Sequence, residues 1–398
     1  MSAGPALEEV VDGLALVDHH VHGALRDDVD AAGFELLLTE SDRVGGDGAS
    51  PWDSQLGFAV RRWCAPVLGL EPHAGPAAYL ARRAELGADA VNRSLLAASG
   101  VGRYLVDTGF RGGLLHGVEG MRELSGREVH EIVRLEAVAE ALAASGVGAV
   151  EFPERYREAL DAATTEAAGL KSVVAYRYGL DFDPAPPARR DVVAAAGAWL
   201  RRTDAGAEPR VTYPVLLRAL IWAGVERGLP LQFHVGFGDP DLDLHRCDPL
   251  HLTDFLRRTA DRDVPILLLH NYPFHRNAGY LAAMFPHVWF DVGLATMFTG
   301  ARSATVVAES LELAPFGKIL YSSDAWGLAE LHHLGALFWR RGMATALRRF
   351  VDDGEWTEAD AVRVAQAIGV DNAMRVYRLT GSATAGPSAA GRPAGTAR

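Results

Sequence analysis

The chain has 398 residues, a formal net charge of −12, 49% hydrophobic residues and 23% charged residues. This composition can bury a large core and excludes disorder for most of the length. The acidic balance and the lack of a Lys/Arg cluster argue against nucleic acid or an anionic membrane surface as partner, which leaves a small molecule as the expected ligand.

Residues 1–12 lack the basic and apolar regions of a secretory signal, and no stretch is apolar for long enough to span a bilayer. Cys64 and Cys247 cannot build a disulfide framework, so a cytoplasmic protein with two inert core cysteines is expected. Nothing in the sequence fixes the oligomeric state, and a homo-oligomer is compatible with it.

Short β-branched or apolar runs recur at 14–21, 102–107, 131–136, 170–176, 230–235, 264–270, 288–293 and 318–323. Between most of them the pattern has helical periodicity, as over 249–259, 279–285 and 301–313. Such alternation implies parallel strands with helical crossovers. Eight units of this kind close into a (β/α)8 TIM barrel more readily than they spread into a doubly wound sheet.

Residues 1–380 are therefore expected to form one barrel. Two connections are far longer than a standard βα loop: 23–99 after the first strand and 179–228 after the fourth. Both are rich in helix formers. They leave the C-terminal ends of strands, where barrel enzymes keep their active sites, and are predicted to form a lid or pocket wall. The Gly, Ala, Ser, Thr and Pro residues of 381–398 predict a disordered tail.

The strongest local signal is Asp18-His19-His20-Val21-His22-Gly23, at the end of the first apolar run. Alternate side chains of a strand share a face, so His20 and His22 point together into the barrel mouth, where two imidazoles can chelate a divalent cation. Other strands also end in a ligand type: His234 closes Leu231-Gln232-Phe233-His234, His270 closes Ile266-Leu267-Leu268-Leu269-His270, and Asp324 closes Ile319-Leu320-Tyr321-Ser322-Ser323-Asp324. Each alone is explained as well by a hydrogen-bonded structural role. Together they converge on one rim.

This order of residues resembles the amidohydrolase superfamily of metal-dependent barrel hydrolases. Its pattern is HxH after strand 1, an optional bridging Lys or Glu after strand 4, His after strands 5 and 6, and Asp after strand 8. The resemblance implies a metal held by His20, His22, His234, His270 and Asp324, with Lys171 as the candidate bridge. Segments 232–239, 270–274 and 321–325 are similar to the amidohydrolase-2 branch, above all to the domain that some proteins fuse to a glutamine synthetase. A synthetase domain is not expected to follow here. That similarity implies hydrolysis of a C–N bond in a γ-glutamyl-amide-like substrate.

Lys171 is one of only two lysines, with Lys318, in a chain that otherwise uses Arg. In binuclear members of the superfamily such a lysine is carbamylated and bridges two ions, so one or two ions are compatible with this sequence. The alternative is that Lys171 lies too early on its strand to reach the rim. Zinc suits the His and Asp donors first, with manganese or iron as alternatives.

Arg177 is a candidate for binding a substrate carboxylate, the alternative being a structural ion pair. Arg134 and Glu136 also end a strand, with Glu136 a lesser candidate for the bridging carboxylate. Asp291 is expected to support a ligand rather than to be one, and His19, His275, His332 and His333 are expected to take no part.

The expected chemistry is hydrolysis of an amide by metal-activated water. Asp324 would move the proton from water to the leaving amine, or His270 if Asp324 only ligates. A metal-dependent decarboxylase of the same branch is the alternative, followed by an iron-dependent oxygenase and a non-catalytic metal-binding protein.

Overall fold

In the computed structural model, which describes residues 6–46 and 48–381, seven parallel strands lie side by side in chain order. They are β1 (Leu16–Val21), β2 (Val101–Asp107), β3 (Glu128–Arg134), β4 (Gly169–Ser172), β5 (Leu231–Val235), β6 (Ile266–His270) and β7 (Val288–Phe290). A helix lies in every crossover between them. Helices on one face and packed side chains on the other bury both faces of such a sheet, which is why its strands read as continuous apolar runs.

The eighth run, 318–323, forms no regular strand among the described residues. It is bonded on both sides all the same. Ile319 bridges to Phe290 at the end of β7, and Leu320 N donates to Phe290 O at 3.0 Å. On its other side His19 N donates to Tyr321 O (3.2 Å), Asp324 N to His20 O (3.1 Å) and His22 N to Ala325 O (2.9 Å). Two irregularities break the ladder here: a register shift in β1 between Asp18 and Val21, and a left-handed Asp324 at φ 54°.

A small apolar cluster inside the curl of the sheet contains Val17, Leu105, Ile132, Leu267, Leu269 and Leu320. Val370, Ala373, Val376 and Tyr377, from the helical turns Ala367–Asp371 and Asn372–Val376, belong to the same cluster. A larger cluster joins the outer faces of the strands to the surrounding helices.

Two sequence-based boundaries need correction. The third strand ends at Arg134, so Glu136 sits in the first turn of the helix Leu135–Ala144. The fourth ends at Ser172, and Tyr176 and Arg177 lie on the short helix Val174–Arg177. One carboxylate accounts for much of both changes: Glu136 Oε1 accepts from Ser172 Oγ (2.8 Å) and from Val173 N (3.0 Å), turning the chain out of the sheet.

Between β1 and β2 the chain forms several helices, including Pro76–Leu86 and Ala88–Ser99, and between β4 and β5 it forms Arg189–Asp204 and Pro214–Arg227. The tail expected over 381–398 lies, from residue 382 onward, outside the described residues.

Candidate metal centre

His20 and His22 lie 5.2 Å apart between ring centroids at the end of β1. The His20 ring also approaches that of His270 on β6, at 5.5 Å, and His270 approaches His234 on β5, at 4.7 Å. Asp324 Oδ1 is 3.1 Å from His20 Nε2 and 3.5 Å from His22 Nε2, and its Oδ2 is 3.3 Å from His270 Nε2. The Lys171 ammonium reaches the same group, with Nζ 3.4 Å from His20 Nε2. Lys171 therefore does not sit too early on its strand.

The proton positions of two rings follow from their neighbours. His22 Nδ1 faces the carbonyl oxygen of Asp107 at 3.1 Å, which only accepts, so Nδ1 carries the proton. His20 Nδ1 faces Gln232 Oε1 at 2.8 Å, while Gln232 Nε2 donates to His19 O and to Tyr377 Oη. In the neutral form of each ring, Nε2 is then left with a lone pair directed at a carboxylate oxygen. Lone pair against lone pair is repulsive, and a cation placed among them removes the conflict.

The charge states agree. Burial, aided by Lys171, lowers His20 to about 3, and burial lowers His270 to about 4 despite Asp324 nearby. Burial and the adjacent His270 hold His234 well below its ordinary value. Burial alone would raise Asp324, and it is held well below the carboxylate range by positive potential at His270 and by bonds to His20 and His22, a role that falls to a cation when those rings are neutral. Neutral imidazoles around an anionic carboxylate are the form in which these groups bind a metal.

Further observations fit an ion. His234 Nε2 and both ring nitrogens of His270 are buried without a hydrogen-bond partner, which is costly unless another group satisfies them. His20, His270 and Asp324 can each offer one ligand atom within 4.8 Å of the others. The backbone of His270 is left-handed at φ 68°, as is that of Asp324, and strain at such positions concentrates at functional sites.

Asp107 also lies within reach of His20 and His22, a neighbour that the sequence reading missed. It is already engaged by Arg134, whose Nη2 and Nε donate to Oδ2 at 2.6 and 3.1 Å. Glu136 is not brought to the centre, because it is spent on Ser172 and Val173. Asp291 supports the site from outside, accepting from His270 N at 2.9 Å and pairing with His19 Nε2 at 3.0 Å.

His19 is therefore no bystander. It turns inward to Asp291 and to Tyr377 Oη (3.0 Å) at the same register shift that lets its neighbour His20 face the site. His275 pairs with Glu309 at 2.7 Å, and His332 and His333 are buried in the helix Ala329–Asp352.

A cavity of about 480 Å3 opens over the cluster, lined by His22, Lys171, His234 and Asp324 on the strand side. Arg111, Arg134, Arg177, Tyr176, Glu40 and Asp239 contribute to the rest of its wall. Glu40 comes from the connection 23–99, and Glu208 and Arg210, which also line the wall, come from 179–228, so both long connections reach the cavity. At Gly238 a side chain would run into Tyr176 Oη and into His234 Nε2, 3.0 Å from its Cβ, so only glycine leaves the imidazole open on that side.

Comparison with known proteins gives the family. The model of the amidohydrolase family matches residues 126–379. The chain belongs to the amidohydrolase family. Protein fluG of Emericella nidulans is 31% identical over 221 residues, which is 53% of this chain but only 25% of fluG. A solved Lactobacillus casei protein, provisionally described as a metal-dependent hydrolase, is 26% identical with a TM-score of 0.82, covering 94% of this chain and 98% of its own. Glucuronate isomerase from Caulobacter crescentus shares the fold at 14% identity and a TM-score of 0.58, covering 94% of both chains.

Proposed function

We propose that the protein is a metal-dependent hydrolase that cleaves an amide C–N bond of a small carboxylate-bearing substrate, γ-glutamyl amides being the first class to test. The observation that carries this reading is the meeting of His20 Nε2, His22 Nε2 and Asp324 Oδ1 at the floor of an open cavity. His20, His22, His234, His270 and Asp324 would hold a divalent cation, zinc before manganese or iron. Lys171, lowered to about 8 by burial, would be the group that takes up CO2 and admits a second ion. A divalent cation supplies Lewis acidity, polarising a carbonyl and making water a nucleophile at neutral pH.

The chain's own groups would do the rest. Asp324 would accept the proton of the attacking water and return it to the leaving amine. If both its oxygens remain engaged, His270 would take that role. Arg177 would hold the substrate carboxylate. Its Nη2 pairs with Glu140 at 3.1 Å, but Nε and Nη1 are buried without partners, and its side chain lines the cavity. It would thus be both an ion-pair member and a carboxylate site.

The same reading treats residues 1–380 as one domain, with the segment after Lys318 closing the sheet between β7 and β1. The free, buried Cys64 and Cys247 support a cytoplasmic location, and no helix of the described residues is long and apolar enough to cross a membrane. Metal analysis of protein purified without chelator, together with a screen of γ-glutamyl amides, N-acyl amino acids and uncharged amides, tests the proposal. Amine release that depends on the ion supports it. Release of CO2 in place of an amine would make the protein a decarboxylase.

A further inference from the structure

Not all charges on the cavity wall are compensated among the described residues. Arg134 is paired with Asp107, Arg177 with Glu140 and Arg210 with Asp241. Glu40 and Asp239 form no ion pair among the described residues. Among the described residues the Asp239 carboxylate accepts only from Asp241 N, at 2.9 Å, and Glu40 accepts from the Trp326 side chain.

These two carboxylates come from segments far apart in the chain, one after β1 and the other after β5, yet they act on each other and on Tyr176. Both also line an adjoining cavity of about 430 Å3 with Leu38, Leu56, Phe237 and Phe298, so they stand at the boundary between the two spaces. Burial, then Asp324 and Asp239, raises Glu40 to about 8, and burial likewise raises Asp239. Of the cations that act on them, Arg210 is already paired with Asp241, which leaves Arg111. Its guanidinium is held over Trp326 (4.8 Å to the ring centroid) and Phe110 (5.3 Å), and it pairs with neither carboxylate.

The same cavity has a second unmet demand of opposite sign. The Arg177 side chain is only 9% exposed, and two of its three nitrogens have no partner. A cavity with donors unmet at one place and carboxylates unmet at another fits a ligand carrying both charges.

We propose that Glu40 and Asp239 form a subsite for an ammonium group, so that the substrate is zwitterionic, with its carboxylate at Arg177 and its ammonium at Glu40 and Asp239. This rests on the reading of the cavity as the catalytic site. The subsite decides which carboxylate-bearing amides are accepted: those with a free amino group are favoured over their desamino counterparts. Recognition is by charge-assisted hydrogen bonds to a group that the polar cavity removes from bulk water.

The test is calorimetric binding to the metal-loaded protein of two ligand pairs that differ only in the ammonium group: glutamate against glutarate, and aspartate against succinate. The wild type is expected to bind at least one amino diacid roughly ten- to a hundredfold more tightly than its partner. Glu40→Gln and Asp239→Asn should each reduce that ratio, and the double variant should bring it to within about twofold. Equal binding of both pairs by the wild type overturns the subsite, as does a ratio that survives in the double variant. The amide screen is read separately. A ratio that behaves as expected in a protein that releases no amine from any amide overturns the hydrolase reading and leaves the subsite standing.

Discussion

At the residue scale, the proposed centre depends on groups that never touch an ion. Gln232 is the plainest case. Its Oε1 accepts a hydrogen bond from His20 Nδ1, and its Nε2 donates to His19 O (2.9 Å) and Tyr377 Oη (2.7 Å), so its amide cannot flip without losing bonds. Gln232→Leu removes the acceptor and frees the imidazole to change tautomer. Loss of such a partner lowers metal affinity by roughly 10–100-fold, which competition with a chelating dye would measure. Unchanged affinity would mean that packing alone orients His20.

Lys171 gives a second residue-scale prediction. If it is carbamylated, Lys171→Ala should lower the metal content from about two equivalents toward one or none, with partial rescue by short carboxylic acids. Unchanged stoichiometry by mass spectrometry would assign it to charge balance beside Asp324. A third concerns Arg177→Met, which should raise KM for carboxylate substrates by a factor on the order of ten to a hundred, with kcat nearly unchanged and the metal retained. A fall in kcat of the same size would place Arg177 in the transition state instead.

At the element scale, the proposed ligands were legible because each closes an apolar run, and the C-terminal ends of parallel strands are places of known function in α/β proteins. His234, His270 and Asp324 needed only that. Gln232 had a readable signal too, being a polar residue two places before His234 on the same strand face. What escaped were features without a periodic trace. The register shift in β1 brings His19 inward as well as His20, and no alternation rule forecasts a bulge. The turn that Glu136 makes after β4 depends on a contact across 36 residues of chain. Glu40 was illegible because nothing local marks an acid in a long connection as facing a cavity.

How that connection is held is itself testable. Arg83, on the helix Pro76–Leu86, donates to Glu330 on the helix Ala329–Asp352 at 2.9 Å, and Tyr79 Oη donates to the same oxygen at 2.9 Å. Both charged side chains are almost wholly buried, at 4% and 0% exposure. Arg83→Leu leaves Glu330 as an unpaired buried charge, and breaking such a pair costs about 3–5 kcal/mol. Urea unfolding should show that loss, and Glu330→Gln in the same background should restore part of it by removing the stranded charge. A loss below about 1 kcal/mol would put the pair in the class of exposed ion pairs.

At the scale of the whole molecule, the proposed ion sits on a seam. His20 and His22 belong to β1 and Asp324 to the segment bonded beside it, and the two are joined there by irregular backbone bonds such as His22 N to Ala325 O (2.9 Å) and by the Asp18 carboxylate, which accepts from Ser323 N (2.9 Å) and Oγ (2.6 Å). An ion bound to both would hold the first strand to the last extended segment, and any ligand that binds only the folded state stabilises it by mass action. Protons oppose it in a defined window. His20 and His270 titrate at about 3 and 4 in the folded chain against an ordinary 6.5. Below pH about 6.5 the unfolded chain therefore binds protons that the folded one does not, and stability falls as the pH drops toward the folded values. Above that window both rings are neutral in either state, and these groups make stability independent of pH. Asp18 and Glu40, raised to about 7 and about 8, work in the opposite direction over part of this range, so the fall is read as a difference: the gap between the thermal midpoints of metal-loaded and metal-free protein should close from pH about 6.5 downward, as protons displace the ion. Chelation at neutral pH should lower the midpoint and speed amide hydrogen exchange first in 16–22 and 319–327, ahead of β3 and β4, which carry no His or Asp ligand. Exchange that rises evenly over all strands, or not at all, would show that no ion ties this seam.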